Sequence, residues 1–314
     1  MTLRVAFLGN DPWSVPPLEA IAGEPELEVG LVVTNPARPA GRGSVPRATA
    51  VAETARALHL SLVEADGVRE GPGLDALRRA RPDVLVVVAY GELLSREVLE
   101  LAPHGALNLH FSLLPRWRGA SPVQHAILTG DERTGVTVMR MDEGLDTGPI
   151  LNQLEEDVRP EDDAGSLGLR LARLGAIVLV GVLRRLTDEL LPARTQDEGA
   201  ATWAPRLGPE DRALSWTEEP QGIARRVRAL APEPGATTTF RGEPLKVFAA
   251  AVAHDDVARD AEPGELMTAD GRGVLVRAGG GGVRLLEVGP AGRRRMAAAA
   301  WARGARFVPG ERLG

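Results

Sequence analysis

Residues Asp83-Val84-Leu85-Val86-Val87-Val88-Ala89 place five branched apolar side chains in a row, and no other segment limits the fold as much. A strand turns successive side chains to opposite faces, so an unbroken apolar run needs both faces covered. Helices packed on both sides of a parallel sheet supply that cover, whereas a strand with one wet face would alternate. The flanking segments agree. Residues 3–8 and 29–34 are short apolar runs, and Val15 to Ala22 between them reads as a helix that tolerates Pro16 and Pro17 in its first turn. Helices are expected at 48–58, 95–101, 121–129 and 164–190, and Thr134 to Met141 alternates as a strand. This order predicts an α/β domain built on an open, Rossmann-like, mostly parallel sheet.

The pattern changes along the chain. Residues 36–47, rich in Pro, Gly and Arg, read as a loop. Residues 191–206 lack periodicity and read as a linker. Beyond them come a helix at 219–230 and short strands at 236–240, 244–252, 273–277 and 283–287, with Gly279 to Gly282 among the turns. These predict a smaller, OB-like β-barrel. The expected division is 1–190, a linker at 191–206, and 207–314. Residues 207–314 hold 16 basic and 14 acidic side chains, a net of +2, on a chain whose total is −6. A tail more basic than its body suits a polyanionic partner.

No cysteine occurs, which excludes disulfides, a Cys-ligated metal and a Cys nucleophile, and fits a reducing compartment. The N-terminus runs straight into a core strand without a basic leader, and no apolar run approaches membrane length. The expectation is a cytoplasmic protein that needs no membrane.

The chemistry is sought where strands end, because open α/β sheets bind ligands at their carboxyl edge. After the first strand, Gly9-Asn10-Asp11-Pro12-Trp13 lacks the second and third glycines of a dinucleotide fingerprint. No P-loop and no Gly-x-Ser-x-Gly elbow occur. The five histidines show no close ligand pair, so no metal is expected. In Ala106-Leu107-Asn108-Leu109-His110-Phe111, Asn108 and His110 share one face of a strand and the leucines take the other. The acidic turn Asp142-Glu143-Gly144-Leu145-Asp146-Thr147-Gly148 follows downstream. Asn, His and Asp in one cleft suit acyl transfer without metal or covalent intermediate.

Asn108 to Pro115, continued by Arg116-Trp-Arg-Gly-Ala-Ser-Pro122 and joined to Thr134-Gly-Val-Thr and Met141 to Gly148, resembles the folate-dependent formyltransferases. Val86 to Gly91 resembles that family's folate-lining strand, and Arg38-Pro-Ala-Gly-Arg42-Gly43 resembles a tRNA-contacting loop within it. Glu287 to Met296 and Arg303 to Gly310 resemble its tail domain. The resemblance implies a catalytic domain at 1–190 and a tRNA-binding β-barrel at 207–314. It implies 10-formyltetrahydrofolate as co-substrate, methionyl initiator tRNA as the partner that accepts the formyl group, and a monomeric enzyme. It assigns catalysis to Asn108, His110 and Asp146, Asp146 being preferred to Asp142 in the same turn. Asn108 and a protonated His110 would donate to the formyl oxygen. Val88, Tyr90, Ser112, Leu113, Leu114 and Pro115 would hold folate, and Arg38, Arg42 and Arg47 would contact tRNA, with no metal. The alternatives are a sugar-nucleotide or other small-amine N-formyltransferase, and a non-catalytic RNA- or folate-binding protein. The tail domain and arginine loop speak against the first, and the complete Asn/His/Asp set against the second.

Overall fold

The structure, a computed structural model, describes residues 2–40, 45–186, 191–254 and 261–314. In chain order the strands and helices are β1 (Leu3–Gly9), α1 (Val15–Ala22), β2 (Leu27–Thr34), β3 (Arg38–Ala40), β4 (Val45–Arg47), α2 (Ala50–Ala57), β5 (Leu62–Glu64), α3 (Gly71–Ala80), β6 (Val84–Val88), α4 (Arg96–Leu99), β7 (Ala106–His110), α5 (Pro122–Thr129), β8 (Arg133–Arg140), β9 (Ile150–Asp157), α6 (Ala164–Arg184), α7 (Pro220–Ala229), β10 (Ala236–Phe240), β11 (Glu243–Ala253), β12 (Leu266–Asp270), β13 (Gly273–Arg277), β14 (Gly282–Pro290), β15 (Met296–Ala297) and α8 (Ala298–Ala305). They fall into two compact units. The first comprises 1–122, 133–157 and 168–205; the second comprises 123–132, 158–167 and 206–314.

The first unit holds a seven-stranded sheet in the order β5-β2-β1-β6-β7-β8-β9. Pairing is parallel from β5 to β7 and antiparallel at β7-β8 and β8-β9. The apolar run is β6, central and buried along its whole length, as an unbroken run requires. Helix entry follows local chemistry. Thr49 accepts from the Ala52 amide to cap α2, and Ser95 caps α4 through Val98.

Three sequence expectations need correction here. Residues 36–47 are not all loop, since β3 and β4 pair as a hairpin with Arg38 opposite Arg47. Prolines at 39 and 46 concealed it, because proline is rare where a strand must donate. The 191–205 stretch pairs with the first unit: Arg194 bridges Ile150, and Trp203 bridges Arg118. It lacks periodicity because its pairings are isolated bridges. Helix α6 spans 21 residues with a window of mean hydropathy 1.8, long and apolar enough to cross a bilayer by length and composition, and 61% of that window is buried. Leu171, Ala172, Leu179 and Val182 are among the buried residues, as in a core helix.

The second unit holds the antiparallel sheet β10-β11-β14-β13-β12, with β15 paired to β14. The amphipathic helix α7 contributes Ile223 and Val227 to its core, and Trp301 of α8 meets Phe240 edge-on at 5.2 Å. Residues 311–314 run between the sheet's two edges. Leu266 donates to the Glu311 carbonyl, Leu313 to that of Gly264, and Gly314 to that of Thr239, so the last residues join β12 to β10 and close the path.

Candidate active site

Strand β7 lies beside β6, with Val87 opposite Asn108, and beside β8, with Thr137 opposite His110. Its two faces are set by packing. Leu109 presses on α6 at Gly175, where an added Cβ would sit 2.8 Å from both leucine methyls. Phe111, on the same face, meets Trp13 edge-on at 5.9 Å. The alternation therefore turns Asn108 and His110 the other way.

Asp146 reaches that face from the turn between β8 and β9. Its backbone is left-handed, φ 55°, a conformation that costs a non-glycine residue about 1–2 kcal/mol. Its carboxylate is held from two sides. The Asn108 carboxamide donates to Oδ1 at 3.2 Å, and the Gly119 amide donates to Oδ2 at 2.8 Å. His110 Nδ1 stands 3.7 Å from Oδ2, beyond hydrogen-bond length but close enough for attraction once the ring is charged. The neighbouring carboxylate has another task. Asp142 is exposed and accepts from the Gly144 amide and the Thr147 hydroxyl, which closes the turn.

The imidazole orientation follows from its other nitrogen. His110 Nε2 lies 2.8 Å from the Trp117 carbonyl oxygen, which can only accept, so Nε2 carries a proton. That proton is spent inside the protein. Any exchange of a proton with a ligand therefore falls to Nδ1. The buried ring leaves that nitrogen beside Asp146. Asn108 keeps its second N–H for a ligand oxygen.

The loop after β7 is fixed by an extended neighbour. Arg118 N–H donates to the Thr202 carbonyl and the Arg118 carbonyl accepts from Ala204, while the Trp117 amide donates to the Thr202 hydroxyl. Trp117 and Gly119 both have positive φ, 64° and 120°. These angles aim the Trp117 carbonyl at His110 and the Gly119 amide at Asp146. Arg118, 1% exposed, forks onto Glu198 at 2.7 and 2.8 Å and onto Gln196 Oε1 at 2.9 and 3.1 Å. The bond to Glu198 raises the guanidinium above its ordinary range and holds the Glu198 carboxyl below its own. Gln196 Nε2 in turn donates to the carbonyls of Asp146 and Gly148 at 2.8 and 2.7 Å.

The structure does not bring every expected residue to this cleft with a free polar group. Ser112 donates to the Arg116 carbonyl, its own carbonyl accepts from Thr137, and the Leu114 amide donates to the Thr137 hydroxyl. Leu113 packs by its side chain on Gly135, and Pro115 follows a cis peptide bond. Val88 ends β6 beside Leu109, and its carbonyl accepts from Ser14. Tyr90 is buried in the cluster around Leu8 and Leu85, its hydroxyl without a hydrogen-bond partner, and burial pushes the phenol above its ordinary range. Arg38 pairs with exposed Asp66 at 3.4 Å, and Arg47 faces Arg38 across the hairpin. Arg42 lies outside the described residues. Among the described residues, no group of three or more His, Asp or Glu side chains is placed to hold a metal.

Gly119, Trp117 and Gln196 escaped the sequence reading. The first two act through backbone atoms, which no side-chain pattern reveals. Gln196 sits in a stretch without periodicity, and only its hydrogen bonds disclose it.

Comparison with known proteins gives a consistent picture. Residues 3–183 match the family model described as formyl transferase, and residues 206–306 match the model of the formyl transferase C-terminal domain. The methionyl-tRNA formyltransferase of Thermus thermophilus is 45% identical over 312 residues, covering 99% of each chain. That of Roseiflexus castenholzii is 44% identical over 316 residues, covering 100% of each. The crystal structure of HypX from Aquifex aeolicus in complex with tetrahydrofolic acid superposes with a TM-score of 0.64 at 17% identity, over 96% of this chain and 47% of HypX. This chain thus spans about half the length of HypX, and the likeness is one of fold.

Proposed function

The chain belongs to the formyl transferase family, and from that premise we propose that it moves a formyl group from 10-formyltetrahydrofolate to the α-amine of methionyl initiator tRNA. The observation that carries the reading is the meeting of Asn108, His110 and Asp146 on one face at the end of β7.

The neutral amine attacks the formyl carbon, a C–N bond forms, and negative charge develops on the formyl oxygen. The second N–H of Asn108 donates to that oxygen; loss of one such donor costs about 10²–10³ in rate in related acyl transfers. The tetrahedral intermediate then breaks its bond to the folate nitrogen. The amine releases a proton and the folate nitrogen takes one up. His110 Nδ1 and the Asp146 carboxylate handle that proton, the carboxylate stabilising the imidazolium as it forms. Its two amide donors keep Asp146 in register throughout. No covalent enzyme intermediate is needed.

Val88, Tyr90 and Ser112 to Pro115 would line the folate. Residues 1–190 act as the catalytic domain together with the 191–205 stretch that pairs with it, and 207–314 act as an OB-like tRNA-binding domain. Arg38 and Arg47, like charges set opposite each other, favour a phosphate between them, and Arg42, between them in sequence, would add a further contact. Arg295 is a poorer phosphate ligand, since it pairs with Glu287 and lies over the Phe248 ring. The enzyme works as a monomer in the cytoplasm.

Purified protein should formylate methionyl initiator tRNA from 10-formyltetrahydrofolate. His110→Ala and Asp146→Ala should each abolish turnover and leave tRNA binding intact. Turnover of a nucleotide sugar with no formyl-methionyl-tRNA would overturn the reading. Wild-type rates in either variant would remove that residue from the mechanism.

A further inference from the structure

We propose that Gln196 is a positioning residue for the reaction, holding the Asp146 carboxylate at its working orientation from outside the cleft. The proposal rests on the formyl-transfer reading of the Asn108, His110 and Asp146 site. Gln196 is buried and all four of its hydrogen-bonding positions are used. Its two N–H bonds go to the carbonyls of Asp146 and Gly148, and its oxygen accepts twice from Arg118. The two carbonyls bracket the end of the turn in which Asp146 keeps a left-handed backbone. A strained conformation of that kind persists only where its surroundings over-determine it. The carboxylate side has Asn108 and Gly119; the backbone side has Gln196.

Arg118 gives the device its direction. Its fork onto Gln196 Oε1 fixes which end of the carboxamide is oxygen and therefore sends the amino end to the turn. Glu198 holds Arg118 from the far side. The same Arg118 backbone belongs to the loop that presents Gly119 to Asp146 and Trp117 to His110. One side-chain network thus ties both walls of the cleft. A catalytic group displaced by 1 Å can lose on the order of 10² in rate, which is the scale at stake.

Gln196→Glu separates positioning from packing. The carboxylate is nearly isosteric and pairs with Arg118 at least as well, yet it cannot donate and would oppose two carbonyl oxygens. Gln196→Met removes the donors without adding charge. Both variants should stay folded at the assay temperature by circular dichroism, though with a lowered melting temperature, and lose roughly 10–100-fold in kcat, with KM for both substrates within about twofold. In an Asp146→Asn background, measured by single turnover, Gln196→Met should cost less than about twofold more, because the group it positions has gone. The His110 ring signals in ¹H–¹⁵N spectra should shift in Gln196→Met as Asp146 moves. Three results would each overturn the proposal: wild-type kcat in both variants, an equal loss in the Asp146→Asn background, or unchanged His110 signals. Should the wild-type protein formylate no tRNA, the functional reading falls, and the His110 signals still decide the positioning claim by themselves.

Discussion

Gly119→Ala tests how tightly the backbone holds the Asp146 carboxylate. Gly119 has φ 120°, where a side chain costs on the order of 1–3 kcal/mol. An added Cβ would lie 2.7 Å from the Ala204 carbonyl oxygen. An ordinary carbon–oxygen approach is about 3.3 Å, so the overlap is roughly 0.6 Å. Ala204 cannot retreat freely, because its amide donates to the Arg118 carbonyl and its own carbonyl accepts from Ser121. Relief comes from rotating residue 119 toward negative φ, which swings its N–H away from Asp146 Oδ2. That forfeits a charge-assisted bond worth about 1.5–3 kcal/mol. Strain and bond loss are alternatives, so they do not add, and the net cost is about 1.5–3 kcal/mol. For a unit of this size the melting temperature should fall by about 3–12 °C. Formylation kcat should fall by about 10²-fold as the carboxylate loses one anchor. Gly242→Ala, at φ 77° with no atom within 4 Å of its added Cβ, serves as the control and should cost only about 1 kcal/mol. A Gly119→Ala protein that melts like the control and keeps the wild-type rate would refute the reasoning.

Further outcomes follow from other parts of the molecule. Replacing Arg38 and Arg47 with alanine should raise KM for tRNA and reduce the steepness with which tRNA affinity falls with salt, by a slope of roughly 0.7–0.9 per lost phosphate contact, while KM for the folate stays unchanged. Leu313→Ala removes a buried side chain from the seam between β10 and β12, and urea unfolding of the second unit should show a loss of about 2–4 kcal/mol. The Glu198 carboxyl, held below its ordinary range by the hydrogen bond from Arg118, contributes stability that is present above the usual carboxylate range and is lost as pH falls through its lowered value. The melting difference between wild type and Glu198→Gln should therefore be visible at pH 7 and close toward acid pH.

The sheet was legible where burial dictates sequence. β6 must be apolar throughout because both its faces are covered, and β7 must alternate because one face packs on α6 and the other turns Asn108 and His110 toward Asp146. Elements under weaker demands were not legible. β9 begins with buried Ile150 and Leu151 and continues through mostly exposed polar residues, as an edge strand may. α3 opens on Gly71-Pro72-Gly73, which reads as a turn, and β12 is largely exposed. The same contrast holds in the site. Asn108, His110 and Asp146 carry side chains whose chemistry is visible in the letters. The Gly119 amide, the Trp117 carbonyl and the Gln196 carboxamide act by where the backbone puts them, and that placement depends on contacts 50 to 85 residues apart in sequence.

The seam made by residues 311–314 bears on the order of events during folding. Thr239 and Gly264 precede the residues that join them by dozens of positions, so the outer edge of β12 and the Thr239 end of β10 stay open until that segment arrives, while Leu214 already pairs with Thr237 further along β10. Contacts of such separation form slowly, because loop closure must be met before they reward it. Until residues 311–314 are in place, β12 and the end of β10 expose unpaired backbone groups of the kind that recruit foreign strands. Cells short of chaperones should therefore lose this protein first to aggregation through its second unit, with the strands of β10 and β12 as the sticking edges.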